Sequence, residues 1–136
     1  MWSCRCAEGK EPVSWADQLV FVVDDDPSVL KAVHRLLRSA GYTRVEVFGS
    51  PKALLEGIGM EKPRLLILDL VMPEMGGTEL LRLAREIGGP ISAVVMSAHE
   101  LEMAEARRAG MGMTAFLQKP FSGDDLLNAI DAAASF

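Results

Sequence analysis

Five short apolar runs, separated by longer segments with helical spacing, constrain this chain more than any other feature of its sequence. The runs are Leu19–Val23 (LVFVV), Val45–Phe48 (VEVF), Leu65–Leu68 (LLIL), Ala93–Met96 (AVVM) and Ala115–Leu117 (AFL). A strand covered on both faces reads as a continuous apolar run, because every side chain then meets a packing layer. The first, third and fourth runs are continuous, whereas Val45-Glu46-Val47 alternates and suggests an edge strand. Between the runs, Val29, Leu30, Val33, Leu36, Leu37 and Ala40 recur at helical spacing, and Gly41 follows as a C-terminal stop. Leu80, Leu81, Ala84 and Ile87 repeat the pattern before Gly88-Gly89-Pro90, and Leu126, Leu127, Ile130 and Ala133 form a last helix. Weaker helices are expected from Pro51 to Met60, which carries Gly57 and Gly59, and from His99 to Ala109. Strand-helix alternation implies right-handed crossovers, hence a parallel sheet with helices on both faces. The expectation is one doubly wound α/β domain over residues 18–136, after a flexible tail over 1–17. No internal repeat, linker or low-complexity segment interrupts it.

Composition removes several function classes. A net charge of −5 with scattered Lys and Arg argues against a nucleic-acid surface, which needs clustered cations. Arg107-Arg108 is the only basic pair of note. No apolar run approaches the roughly 18 residues that span a membrane. Met1 to Asp17 is polar and irregular, without the apolar core of a secretory signal. Cys4 and Cys6 are the only cysteines, and no second pair or histidine cluster completes a metal site around them. Two neighbouring thiols do not make a disulfide framework, so a reducing cytoplasm is the expected compartment. The eight methionines read as core and loop filler.

In an open parallel sheet, ligands bind beyond the carboxyl ends of the strands. The first run leads into Asp24-Asp25-Asp26-Pro27 and the third into Asp69-Leu70-Val71-Met72-Pro73. The fourth leads into Ser97-Ala98 and the fifth into Gln118-Lys119-Pro120. Carboxylates converging there repel, at a cost of about 4 kcal/mol per pair at 4 Å and an effective dielectric near 20. That arrangement calls for a cation. Oxygen-only ligands suit a hard divalent ion, and magnesium with retained waters is favoured where phosphate completes the shell. A flavin phosphate would need a Gly/Ser/Thr-rich loop at the first helix, where this chain places three aspartates. Asp26 before Pro27 fits a helix N-cap followed by proline at the first helical position.

The segments VVDDDPSV, LLILDLVMPEMGG, VVMSAH and FLQKPF, in this order, resemble the receiver domain of two-component response regulators. The resemblance runs from Leu19 to Ala134 and implies a flavodoxin-like fold with strand order 2-1-3-4-5. It makes Asp69 the phosphoacceptor, Asp25 a direct magnesium ligand and Asp24 its helper through water. Asp69 itself and the Val71 backbone carbonyl complete the implied metal ligands. Ser97 matches the hydroxyl that grips the phosphoryl group, Lys119 the lysine beside it, and Phe116 the switch aromatic. The bond from Lys119 to Pro120 matches a position where the peptide is cis. The implied function is a Mg2+-dependent phosphoaspartate switch rather than a conventional enzyme. The implied partners are a histidine kinase or histidine phosphotransfer protein as donor, and a downstream effector or output domain.

The chain departs from the family pattern after the fourth strand. Ala109-Gly110 comes early and Met111-Gly112-Met113-Thr114 is long, so a short or shifted fourth helix is expected. Because the chain ends at Phe136, just after the last helix, no output domain is expected within it. Two rivals fit less well. A receiver that binds without phosphorylation would not be expected to keep Asp24, Asp25, Asp69, Ser97 and Lys119 together. An aspartate-nucleophile phosphatase of the haloacid dehalogenase type needs a second Asp where this chain has Val71. His34, on the first helix, has no partner motif for phosphotransfer.

Overall fold

A computed structural model of the chain describes residues 17–108 and 112–134. The expected tail, with Cys4 and Cys6, lies outside these residues apart from Asp17. The elements alternate as the apolar runs predict: β1 (Leu19–Val23), α1 (Pro27–Ser39), β2 (Arg44–Phe48), α2 (Pro51–Met60) and β3 (Leu65–Asp69). They continue with α3 (Gly77–Gly88), β4 (Ser92–Ser97), α4 (Glu100–Arg108), β5 (Thr114–Gln118) and α5 (Gly123–Ala134). All neighbouring strands run parallel, in the order β2-β1-β3-β4-β5.

Each central strand divides its side chains between two cores. Val20, Val22, Leu65, Ile67, Val94 and Met96 point towards α1 and α5, and pack on Val33, Leu37, Leu126 and Ile130. Phe21, Val23, Leu66, Leu68, Ala93 and Val95 point the other way, onto Leu54, Ile58, Leu80, Leu81 and Met103 of α2, α3 and α4. This two-sided burial is why β1, β3 and β4 contain no alternation. β2 is an edge strand, as its alternation predicts, with Val45 half-buried and Val47 exposed.

Local chemistry sets the helix ends. Asp26 is the N-cap of α1; its Oδ1 accepts the Ser28 N–H at 2.9 Å, ahead of Pro27 in the first turn. Ser50 caps α2 in the same way through Ala53 N–H at 3.2 Å. Gly41 follows α1 at φ +103°, a conformation only glycine adopts cheaply. Gly57 weakens α2 on propensity but has a packing reason. A Cβ there would lie 2.8 Å from the Phe48 ring, which packs edge-on against Phe21 with centroids 4.8 Å apart. α4 is described from Glu100 to Arg108, over nine residues. Ala109 to Met111 lie outside the described residues.

Candidate functional site

Strand register alone brings the site together. Val23 of β1 lies beside Leu68 of β3, so the next residues, Asp24 and Asp69, are neighbours. Asp69 is paired with Met96 of β4, one residue before Ser97. Ser97 is paired with Gln118 of β5, one residue before Lys119. Four adjacent strands thus deliver two acids, a hydroxyl and an ammonium to one crevice, at the end where a doubly wound sheet binds ligands.

Side-chain contacts tie the crevice together. Lys119 Nζ donates to Asp24 Oδ2 at 2.9 Å and to Asp69 Oδ2 at 3.2 Å. The Asp24 carboxylate is fully buried and its Oδ1 also accepts the Asp26 N–H at 3.0 Å. Asp69 Oδ1 accepts the Val71 N–H at 3.2 Å. Asp25 is exposed, yet one oxygen from each of Asp24, Asp25 and Asp69 lies within 4.8 Å of the others. Ser97 is buried; its Oγ accepts the His99 N–H at 2.9 Å and donates to the His99 carbonyl at 3.3 Å. The Lys119-Pro120 peptide is cis, as the resemblance implies.

Burial pushes the Asp69 carboxyl above its ordinary pKa, and the nearby Asp24 charge adds to this. The Val71 N–H and Lys119 oppose the shift without cancelling it. Burial pulls Lys119 down, but the hydrogen bonds and charges of Asp24 and Asp69 outweigh it and raise its pKa. Lys119 therefore stays an ammonium. Three carboxylates against one ammonium leave two negative charges uncompensated, and all donors are oxygens. That donor set fits a hard divalent cation such as magnesium.

A profile of the response regulator receiver domain matches residues 20–131. The chain belongs to that family. Phosphorylation of an aspartate is the family's general function, and the family is not a conventional enzyme family. The receiver is 37% identical over 126 residues to the response regulator protein TmoT of Ectopseudomonas mendocina, covering 92% of this chain and 56% of the relative. It is 34% identical over 139 residues to the response regulator protein TodT of Pseudomonas putida, covering 97% of this chain and 60% of that protein. The chain thus spans little more than half the length of these curated relatives. Among solved structures, the crystal structure of FixJ-N is 31% identical with a TM-score of 0.75, covering 88% of this chain and 94% of that one. A receiver domain protein from Clostridium thermocellum, at 24% identity and a TM-score of 0.74, shares the fold, covering 87% of this chain and 94% of that one. Among the described residues, no helix is long and apolar enough to cross a membrane.

Of the residues singled out from sequence, Asp24, Asp25, Asp69, Ser97 and Lys119 converge on this crevice. Val71 contributes its N–H to Asp69, and its side chain is exposed at the rim. Phe116 stands apart from the acids, half-buried on the α2–α4 side of the sheet, with the Arg107 guanidinium 5.4 Å from its ring centroid. His34 lies on α1 away from the crevice, half-buried.

Sequence reasoning missed Gly77. Its N–H donates to the Leu70 carbonyl at 2.7 Å, and a Cβ there would lie 2.7 Å from both the Asp69 carbonyl oxygen and Leu70 Cα. Only a glycine lets α3 start directly against the backbone that carries Asp69. The signal was present in the Gly76-Gly77 pair, but a glycine pair before a helix also reads as an ordinary turn.

Proposed function

We propose that this receiver accepts a phosphoryl group on Asp69 and uses the modified state to change a partner-binding face. The observation that carries this reading is the ammonium of Lys119 bridging Asp24 and Asp69, with the Asp25 carboxylate open to solvent beside them. In transfer, an Asp69 carboxylate oxygen attacks phosphorus. The bond from phosphorus to the donor breaks, and its electron pair leaves with the donor. Little covalent help is required; in-line positioning and neutralisation of the equatorial oxygens decide the rate. Lys119, already held by both carboxylates, is placed to meet one of those oxygens. The Val71 N–H restrains the Asp69 carboxylate. Ser97 can turn its hydroxyl from His99 towards the phosphoryl group. Asp24, Asp25, Asp69 and the Val71 carbonyl are the groups that would hold magnesium, which supplies further charge neutralisation when bound. The domain thereby assists its own phosphorylation and dephosphorylation.

The donor in this reading is a histidine kinase or histidine phosphotransfer protein in the cytoplasm. The receiver reports to an effector or output domain, in line with the greater length of TmoT and TodT. A phosphoryl group brings about −1.5 to −2 charges and three strong acceptors, which draw the Ser97 hydroxyl inward. Phe116 then follows into the space left beside β5. Intact mass after incubation with acetyl phosphate and magnesium tests the assignment. One added phosphoryl group is expected, and none in Asp69→Asn. Undiminished modification of the variant would overturn it.

A further inference from the structure

The helix α4 buries only Met103 and Ala106 of its nine residues, against four buried residues in α3. It is held instead by three tethers that end on β4 or β5, at Ser97, Gln118 and Phe116. At its start, the His99 carbonyl accepts the Met103 N–H at 3.1 Å, while the His99 N–H donates to Ser97 Oγ at 2.9 Å. In the first turn, Gln118 Nε2 donates to Glu100 Oε2 at 3.3 Å. In the last turn, the Arg107 guanidinium sits 5.4 Å from the centre of the Phe116 ring.

We propose that α4 is latched onto β5 by Arg107 and Glu100, and that the Arg107–Phe116 contact sets how often the unphosphorylated receiver visits its signalling conformation. The inference rests on the phosphoacceptor reading and concerns the regulation of that same site. Phe116 cannot turn inward without leaving the cation above its ring, so Arg107 weights the resting position. Ser97 cannot swing towards a phosphoryl group without releasing His99, so the opposite end of α4 loosens in the same event. A helix with so little buried apolar surface belongs to the low-stability end of a fold. Its tethers are individually weak, which lets a single charge-changing event break them together. The contact with Arg107 is worth about a two- to fivefold bias between the two positions of Phe116 at a partly exposed site.

Charge alone predicts the opposite sign from the latch. Removing a cation from the receiver should slow the approach of an anionic phosphodonor. Releasing the latch should speed phosphorylation, because the conformation that accepts phosphate is then more populated.

The test compares the wild type, Arg107→Gln, Arg107→Lys, Phe116→Leu and the double variant Arg107→Gln/Phe116→Leu. Amide hydrogen exchange of α4 is measured without donor, and initial phosphorylation rates with acetyl phosphate and magnesium. Arg107→Gln is expected to raise both by about two- to fivefold, while Arg107→Lys keeps most of the restraint. In the Phe116→Leu background, Arg107→Gln should change neither. Equal acceleration in both backgrounds, no acceleration, or slower phosphorylation would overturn the latch. A wild type that takes no phosphoryl group would sink the phosphoacceptor reading and with it the gating role. The exchange measurements would still decide whether Arg107 and Phe116 hold α4.

Discussion

Replacing Lys119 by methionine keeps an unbranched apolar stem out to Cε but deletes the ammonium that bridges Asp24 and Asp69 at 2.9 and 3.2 Å. Each contact carries about 5 kcal/mol of attraction at an effective dielectric near 20. Much of that is offset by the burial of the charges, so the two figures do not sum to a stability. What the substitution leaves behind matters more. The Asp24 carboxylate is 0% exposed and Asp69 only 11%, so two carboxylates would face each other without a cation. Breaking a fully buried pair costs about 3–5 kcal/mol. The lower end applies here, because Lys119 is 19% exposed and Asp69, already pushed up by burial, can relieve the repulsion by taking a proton. Lys119→Met is therefore expected to lose about 3 kcal/mol in urea unfolding at pH 7 with a chelator present. Asp24→Asn added to Lys119→Met should recover most of the loss, since Asp69 then faces only the solvent-exposed Asp25 carboxylate, whose repulsion water screens. Magnesium should narrow the difference as well, by binding the folded acidic cluster. A Lys119→Met loss below about 1 kcal/mol, or a double variant as unstable as the sum of the singles, would refute the reasoning.

Three further variants carry expectations from the crevice and the helix cap beside it. Asp25→Asn should abolish most magnesium binding in a titration followed by NMR shifts while costing little fold stability, since it relieves repulsion among the three acids. Asp26→Asn should leave binding nearly intact because that side chain caps α1; equal losses in the two variants would contradict this division. The Val71 side chain is exposed at the rim beside Asp69 and cannot hydrogen-bond a water, so Val71→Asn should shorten the lifetime of the aspartyl phosphate. About fivefold is expected, the worth of one net hydrogen bond of about 1 kcal/mol, and an unchanged or longer lifetime would count against it.

The fold was legible in the sequence because burial on both faces writes itself as uninterrupted apolar runs. LVFVV, LLIL and AVVM read as strands inside a covered sheet, and Asp26-Pro27 and Gly41 marked the ends of α1 through local chemistry that needs no tertiary contact. Asp24, Asp25 and Asp69 stood out for a related reason, since charges directly after such strands are costly unless they are used. Other features depend on residues far apart in the chain. That Lys119 bonds Asp24, 95 residues away, follows from the pairing of β1 with β3, β3 with β4 and β4 with β5, which no local pattern encodes. Gly57 looked like a weak point in α2 until the Phe48 ring filled the space beside it, and no local pattern singled out Gly77, where α3 comes to rest against the Asp69 backbone. The tie from Ser97 through His99 to α4, and the Arg107 guanidinium over Phe116, likewise belong to tertiary structure. Periodicity reports which face of an element is buried, but only packing decides which side chain meets it there.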